Sequence, residues 1–585
     1  MKKIFYILIT LGFLASCGGN SNENTDNRVA KGNVSYGGVF RMNEVEDFRS
    51  LYPLNVTEIS GFHVASQIYE GLVKLSQSDL TVIPCIAQKW DVSPDAKTWT
   101  FYLRKNVYFQ DDPCFPGGKG RPVTAADFKY CFDQLCTASP QNQLYQATFK
   151  GRVVGADEYY QSTVDKKPLA GGVSGVKVID DYTLQITLKY PFAGFLNILT
   201  MPGCWLFPKE ALDKYGIDMR VKCVGTGPFM VKEMKEGDAV VLTRNPKYWD
   251  VDEFGNQLPY LDAVKITFIK EKKSELLEFK QDHLEMVFQL PTEFIGDIMG
   301  DVQNAKKVNN FNLQVIPAMS IFYYGFQNQT VPFNNKYVRQ AFNYAIDREK
   351  IVNYTLQGEG IPGFYGIVPP AFSNYDYKDI KGYSFDPDKA KQLLAKGGYP
   401  NGKGFPKITL QTNSGGGDRN IQIAEVIQKM LKENLNIDVE INVMPFAQHL
   451  EALETGKATF WRTGWIADYP DPSDFLQLLY GADVPKTLSE KSYLNSVRYV
   501  SPKFDSLYVK ALRETDDTKR FELYKEADQV GIDDAAYMPI FYEEDYRLIQ
   551  KYVKNFDINA MEYRDLEKVY FDKKEQAKEQ QALGQ

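Results

Sequence analysis

Glycine runs, cysteines and paired acids are the residues here whose spacing could do chemistry. Gly415-Gly416-Gly417 lies between a strand pattern and a helix pattern, where phosphate-binding loops lie. The run lacks the G-x-G-x-x-G spacing, and no Lys-Ser/Thr pair follows it, so an ordinary flexible turn is expected. Gly172-Val173-Ser174-Gly175 has one residue too few after Ser174 to form a G-x-S-x-G nucleophile elbow. There is no H-E-x-x-H. Asp111-Asp112 and Asp533-Asp534 are adjacent acids, but with 75 Asp and Glu such neighbours arise by chance. Acid clusters of this kind are expected to be solvated loops. The missing motifs weigh against an enzyme, and no cofactor is implied.

The chain holds seven cysteines. Setting Cys17 aside leaves Cys85, Cys114, Cys131, Cys136, Cys204 and Cys223. An even number in an oxidising compartment suggests disulfides that would staple the N-terminal half, with about 15 possible pairings. Buried free thiols are the alternative. No C-x-x-C occurs, and His63, His283 and His449 are scattered, so no zinc site is expected.

The compartment is written at the N-terminus. Met1-Lys2-Lys3 precedes an apolar run from Ile4 to Ala15 that is too short to span a bilayer. It ends at Leu14-Ala15-Ser16-Cys17-Gly18, which resembles a bacterial lipobox. The expectation is cleavage of a signal peptide over 1–16 and lipidation of Cys17. A signal peptide with a chance cysteine is the alternative. Residues 18–33 are polar and Gly/Asn/Ser-rich, as suits a flexible tether. Gly18 is not the aspartate that typically retains lipoproteins at an inner membrane. In a cell with two membranes the protein is therefore expected on the outer membrane, facing the periplasm.

The composition, 44% hydrophobic and 24% charged, is that of a globular protein of two or three domains. No later segment is apolar enough to cross a membrane. The net charge of −7 is small for 585 residues and offers no basic stripe, which argues against nucleic acid.

The elements that must position any site are legible in part. Trp99–Arg104 and Tyr182–Leu188 alternate as strands do and are expected in one mixed sheet. Thr124 and Asp127 frame a helix start, with Phe128, Cys131, Phe132 and Leu135 at helical spacing. Residues 386–455 form the clearest α/β unit. Asp386 caps a helix that Pro387 begins and Gly397-Gly398 ends. A strand at Ile408–Thr412, a helix buried through Ile423, Ala424, Ile427 and Leu431, and a strand through Val439, Ile441 and Val443 follow. That order implies a parallel pair. A last helix with Leu450 and Leu453 stops near Gly456. From Lys573 on, the charged, Gln-rich end is expected to fray.

Several segments in order resemble the ABC-importer solute-binding family that includes the oligopeptide- and dipeptide-binding proteins. They are Ile68-Tyr69-Glu70-Gly71-Leu72-Val73; Ile83-Pro84-Cys85-Ile86-Ala87-Gln88-Lys89-Trp90 with Thr98-Trp99-Thr100-Phe101; Val123-Thr124-Ala125-Ala126-Asp127-Phe128; Val224-Gly225-Thr226-Gly227-Pro228-Phe229; Arg244-Asn245-Pro246-Lys247-Tyr248-Trp249; Val338-Arg339-Gln340-Ala341 with Ala345-Ile346-Asp347-Arg348; and Gly464-Trp465-Ile466-Ala467-Asp468-Tyr469-Pro470-Asp471-Pro472. Most of these read as scaffold. Gly225 and Gly227 are expected to supply φ > 0 in a tight turn before Pro228. Asp347 fits a helix N-cap. Trp90 and Trp249 are expected in the core.

The resemblance implies a periplasmic-binding-protein-like α/β fold: two α/β lobes with a hinge, plus an additional domain. It implies lobe I over 34–66, 196–318 and 539–576, an inserted domain over 67–195, and lobe II over 319–538, after a lipidated tether at 17–33. It implies a monomer that captures a short peptide between closing lobes and hands it to the permease subunits of an ABC importer. In peptide-binding members the aspartate at the position of Asp468 pairs with the ligand ammonium. Some relatives carry an arginine at the position of Arg462 that helps with the ligand carboxylate. Trp465, Trp461, Tyr69 and Phe62 are further candidate walls. Asp468 also lies in a Pro-rich turn, where aspartate often bonds its own backbone. An oligosaccharide, haem or nickel chelate would suit the same fold, as would a peptide-sensing receptor. A lipid-anchored enzyme or adhesin is the reading from another class.

Overall fold

The computed structural model describes residues 28–583 except 292–293, 295–297, 299–310, 373 and 416–417. The signal peptide, Cys17 and most of the tether lie outside the described residues, as do Gly416 and Gly417. Among the described residues, no helix is long and apolar enough to cross a membrane.

Three sheets organise the chain. In the first, strand Val39–Asn43 runs parallel to Ala263–Thr267, and Ala239–Arg244 and Phe229–Lys235 complete it antiparallel. The second has the order Ala87–Val92, Thr98–Leu103, Thr183–Thr187, Val176–Asp180. Its alternation is clean: Trp99, Phe101 and Leu103 face inward, as do Leu184 and Ile186 across the ladder. The expected mixed sheet is in fact antiparallel throughout. Only Asp181 and Tyr182 separate the last two strands, and so short a link permits no parallel crossover. Helix Ala125–Leu135 is anchored to that link, Ala125 N–H donating to the Asp181 carbonyl at 2.8 Å. Its start is a capping box, with Thr124 N–H donating to Asp127 at 2.9 Å.

The third sheet has seven strands. Its main path is Met286–Phe288, Tyr537–Gln550, Phe311–Phe326, Phe460–Ile466, Ile408–Asn413, Val439–Met444. Ile408–Asn413 and Val439–Met444 are parallel, with Leu410 opposite Ile441. Helix Arg419–Leu435 connects them and buries Ile423, Ala424, Ile427 and Leu431. The capping signals hold at Asp386, whose carboxylate accepts from Lys389 N–H at 2.9 Å, and at Asp347, which accepts from Lys350 N–H at 3.0 Å. Phe326, Phe333 and Phe342 surround Phe460 at ring distances of 5.4–5.7 Å. Burying such a ring stabilises the fold by about 1.5–3 kcal/mol.

Two long strands run through this sheet. Phe311–Phe326 and Tyr537–Gln550 pair antiparallel from Phe311 opposite Gln550 to Gly325 opposite Tyr537. The register breaks between Pro317 and Ile321, next to Glu543 and Glu544. Pro317 has no N–H to give the ladder, and such a break re-aims side chains. Ser320 and Glu543 sit at this break and face a cavity.

Three sequence expectations are corrected. All six described cysteines are free. Each thiol has its own surroundings: Cys131 accepts from Phe207 N–H at 3.4 Å, and Cys85 Sγ lies 3.5 Å from the Glu70 carboxylate. Desolvation pushes the half-buried Cys223 thiol up to about 12 and pushes the buried Cys85, Cys131, Cys136 and Cys204 thiols up as well, so they stay protonated. Gly225 and Gly227 do not take positive φ. They are glycine because a Cβ would lie 2.1 Å from the Ile68 carbonyl oxygen at 225 and 2.7 Å from the Ile68 carbonyl at 227. The segment from Lys573 is a helix to Leu583, started by Asp572, which accepts from Lys574 and Glu575 N–H at 3.0 and 3.2 Å.

Candidate functional site

A cavity of about 370 Å³ opens where the first sheet, the register break and the edge of the parallel unit meet. From one side come Glu44, Glu46, Arg49, Glu58 and Phe62, on the chain after strand Val39–Asn43 and on helix Ile59–Ala65. From the other come Arg419, His449, Arg462, Trp465 and Asp468. Ser320, Glu543 and Glu562 form the floor between them.

Asp468 follows strand Phe460–Ile466. The turn bonds fall to its neighbours. Asp474 accepts from Asp468 N–H at 2.9 Å, Trp465 Nε1 at 3.0 Å and Gln477 Nε2 at 2.6 Å. Asp471 accepts from Ser473 N–H at 2.9 Å. The Asp468 carboxylate is thereby left over. Its Oδ2 is buried with no hydrogen-bond partner, and it lines the cavity. Burial pushes its pKa up, because no cation stands close enough to stabilise the charge.

Arg462 lies on the strand itself, partly buried. Its Nη1 donates to Asn413 at 3.2 Å and its guanidinium lies 4.6 Å from the centre of the Phe322 ring. Its Nε has no partner, and burial lowers its pKa. His449 steadies the strand: Nε2–H donates to the Arg462 carbonyl at 2.8 Å, and Nδ1 accepts from Gln411 at 3.0 Å. Both ring nitrogens are thus assigned to a neutral imidazole. Burial beside Arg462 lowers it to about 4.

Of the other predicted site residues, Trp465 and Phe62 line the cavity. Trp461 does not. It is fully buried, and its ring packs where a Cβ on Gly325 would lie 2.5 Å from it. Tyr69 also lies outside the main cavity. It lines a chamber of about 30 Å³ behind Asp468, with Glu70, Lys74 and Tyr248. That space suits a water or two. Glu70, pushed up to about 7 by burial, accepts there from Thr226 at 2.7 Å and Tyr248 at 2.9 Å.

Sequence reasoning missed Arg419, Glu46, Glu543 and Glu562. Arg419 opens helix Arg419–Leu435, with Glu543 and Glu359 oxygens at 3.8 and 3.9 Å and a buried Nε that has no partner. The glycine run was its signal. Gly415 has φ +109°, and a Cβ there would lie 1.5 Å from Glu46 Oε1. Gly415 lets the loop approach a side chain from across the cavity.

Together these groups offer a carboxylate with an unpartnered oxygen and two incompletely paired guanidinium groups in one cavity. That is complementary to a ligand bearing an ammonium and a carboxylate.

Comparison with known proteins agrees in scope. The family described as "Bacterial extracellular solute-binding proteins, family 5 Middle" matches residues 81–486. The periplasmic oligopeptide-binding protein OppA of Escherichia coli (strain K12) is 30% identical over 525 residues, 88% of this chain and 89% of that protein. The dipeptide-binding protein DppE of Bacillus subtilis (strain 168) is 28% identical over 582 residues, 97% of this chain and 98% of its own. Among solved structures, the ABC transporter-associated periplasmic binding protein DppA from Helicobacter pylori, in complex with peptide STSA, superposes with a TM-score of 0.80. It is 26% identical, and the match covers 92% of this chain and 99% of that one.

Proposed function

This chain belongs to family 5 of the bacterial extracellular solute-binding proteins, and we propose that it captures short peptides in the cavity for an ABC importer. The observation that carries this reading is the buried Asp468 carboxylate, which faces the cavity without a cation. A buried unpaired charge is costly, and a peptide ammonium would relieve it. Arg462 and Arg419, each with an unpartnered Nε, would take the peptide carboxylate at the other end. Trp465 and Phe62 would supply apolar walls that accept varied side chains.

Binding is proposed to be coupled to hinge closure. The lobes are assigned as 34–66, 196–318 and 539–576 against 319–538, with 67–195 as an added domain. A peptide that touches both would favour the closed form, which the permease recognises. The protein acts as a monomer, held at the membrane by a lipid on Cys17. Its task is binding, not turnover.

Native mass spectrometry of residues 28–585, followed by denaturation, tests this. A ladder of released short peptides that is lost in Asp468→Ala is expected. A single sugar, haem or metal chelate in its place would overturn the reading.

A further inference from the structure

The charges that line the cavity do not balance. Seven carboxylates and five cationic side chains face it. Arg49 takes up Glu58 and, with Lys491, Glu454. Arg564 takes up Glu44, and Lys272 is held by Glu275 at 2.9 Å. Glu46, Asp468, Glu543 and Glu562 are left against Arg419 and Arg462. A zwitterionic ligand adds one charge of each sign and leaves that excess unchanged.

The excess is concentrated at the floor. Glu543 accepts from Ser320 Oγ at 2.5 Å, and its nearest cation, Arg419, stays 3.8 Å away. Glu562 has φ +54°, a conformation that a glutamate rarely adopts. His63 Nε2 meets its carbonyl at 2.9 Å and His63 Nδ1 meets Glu44 at 2.8 Å, so the ring is committed on both sides. The nearest cation to the Glu562 carboxylate is Arg564, at 3.6 Å and already bonded to Glu44. Behind both glutamates lies Asp545, buried, with an oxygen that has no partner. Strained backbone that aims a carboxylate with only a shared cation into a cavity is a sign of a binding role.

We infer that Glu543 and Glu562 form a subsite for a basic ligand side chain, so that the cleft selects peptides containing lysine or arginine. This rests on the peptide reading above. An alkylammonium or guanidinium seated between the two glutamates would supply the missing positive charge with charge-assisted hydrogen bonds. Burial pushes Glu562 and Asp545 up in the absence of such a partner, in keeping with a corner short of cations.

Calorimetry with three tripeptide pairs tests the inference. Lysine is placed at the first, second or third position of an otherwise all-alanine peptide, and each is compared with its norleucine counterpart. At one position at least, lysine is expected to bind about tenfold tighter or more. That ratio is expected to collapse toward one in Glu562→Gln or Glu543→Gln. Equal affinity within all three pairs overturns the subsite while leaving peptide binding intact. So does a ratio that survives in both variants. If no peptide binds at all, the peptide reading fails and the subsite with it.

Discussion

Glu46 and Gly415 meet across the cavity, close enough that a Cβ at 415 would lie 1.5 Å from Glu46 Oε1. Gly415 also has φ +109°, so an L side chain there is strained twice over. Gly415→Ala is expected to weaken peptide binding about tenfold or more, with only a small fall in melting temperature. Adding Glu46→Ala should recover part of the loss, because it removes the collision but not the backbone strain. Calorimetry on the two variants checks this. No recovery would show that the contact across the cavity is unimportant.

Asp468→Asn keeps the shape and removes the charge. Affinity for free-amino peptides is expected to fall by about 2–5 kcal/mol. The empty protein should melt at a higher temperature, because a buried, unpaired carboxylate is gone. Thermal denaturation with and without peptide reads both effects at once.

The same carboxylate predicts a pH dependence. Burial raises Asp468 in the folded, empty protein above its unfolded value. Asp474, in the same turn, shifts the same way. The folded state therefore holds these protons more tightly. Their stabilising effect is present at low pH and is lost as pH rises through the raised values. An ammonium ligand needs Asp468 ionised, so its affinity should fall between about pH 8 and about pH 5. In Asp468→Asn that slope should flatten.

Arg462 and Arg419 predict a role for the peptide carboxylate. Amidating a peptide's C-terminus is expected to weaken binding about tenfold or more in the wild-type protein. The free-acid and amide forms should bind alike in the Arg462→Met/Arg419→Met double variant.

The free thiols predict indifference to reductant. Melting temperature should be the same with and without dithiothreitol. A thiol reagent should reach Cys85, Cys131, Cys136 and Cys204 only after unfolding, because they are buried and protonated. A drop in stability on reduction would contradict the free-thiol state.

What was legible in the sequence was what local pattern encodes. The helix starts at Thr124, Asp347 and Asp386 show in the capping residues themselves. The unit from Ile408 to Met444 shows in its periodicity. The direction of strand pairing around Thr98–Leu103 did not, because it depends on a link outside the strand. The cavity was legible where its residues sit within one short stretch, as with Arg462, Trp465 and Asp468. Trp461 belongs to that stretch but is fully buried against Gly325, and strand alternation gave no warning, because it places Trp461 and Trp465 on the same face. Glu543 reaches the cavity only because a register break joins it to Ser320, 223 residues away. Glu562 does so through a left-handed backbone. Neither device leaves a mark on the composition around the glutamate itself.

The pairing of Gly325 with Tyr537 has a consequence for how such proteins diversify. Residues 326–536 leave this pair of long strands and rejoin it at neighbouring positions, adding Ile408–Asn413, Val439–Met444 and Phe460–Ile466 to the same sheet on the way. That stretch is one removable cassette, and it carries Arg419, Arg462 and Asp468. Glu46, Glu543 and Glu562 stay behind on the remaining frame. A chimera that exchanged the cassette would inherit a new grip on the ends of the peptide backbone while keeping the old taste for side-chain charge. The two halves of recognition could then be recombined between relatives at two closely spaced junctions.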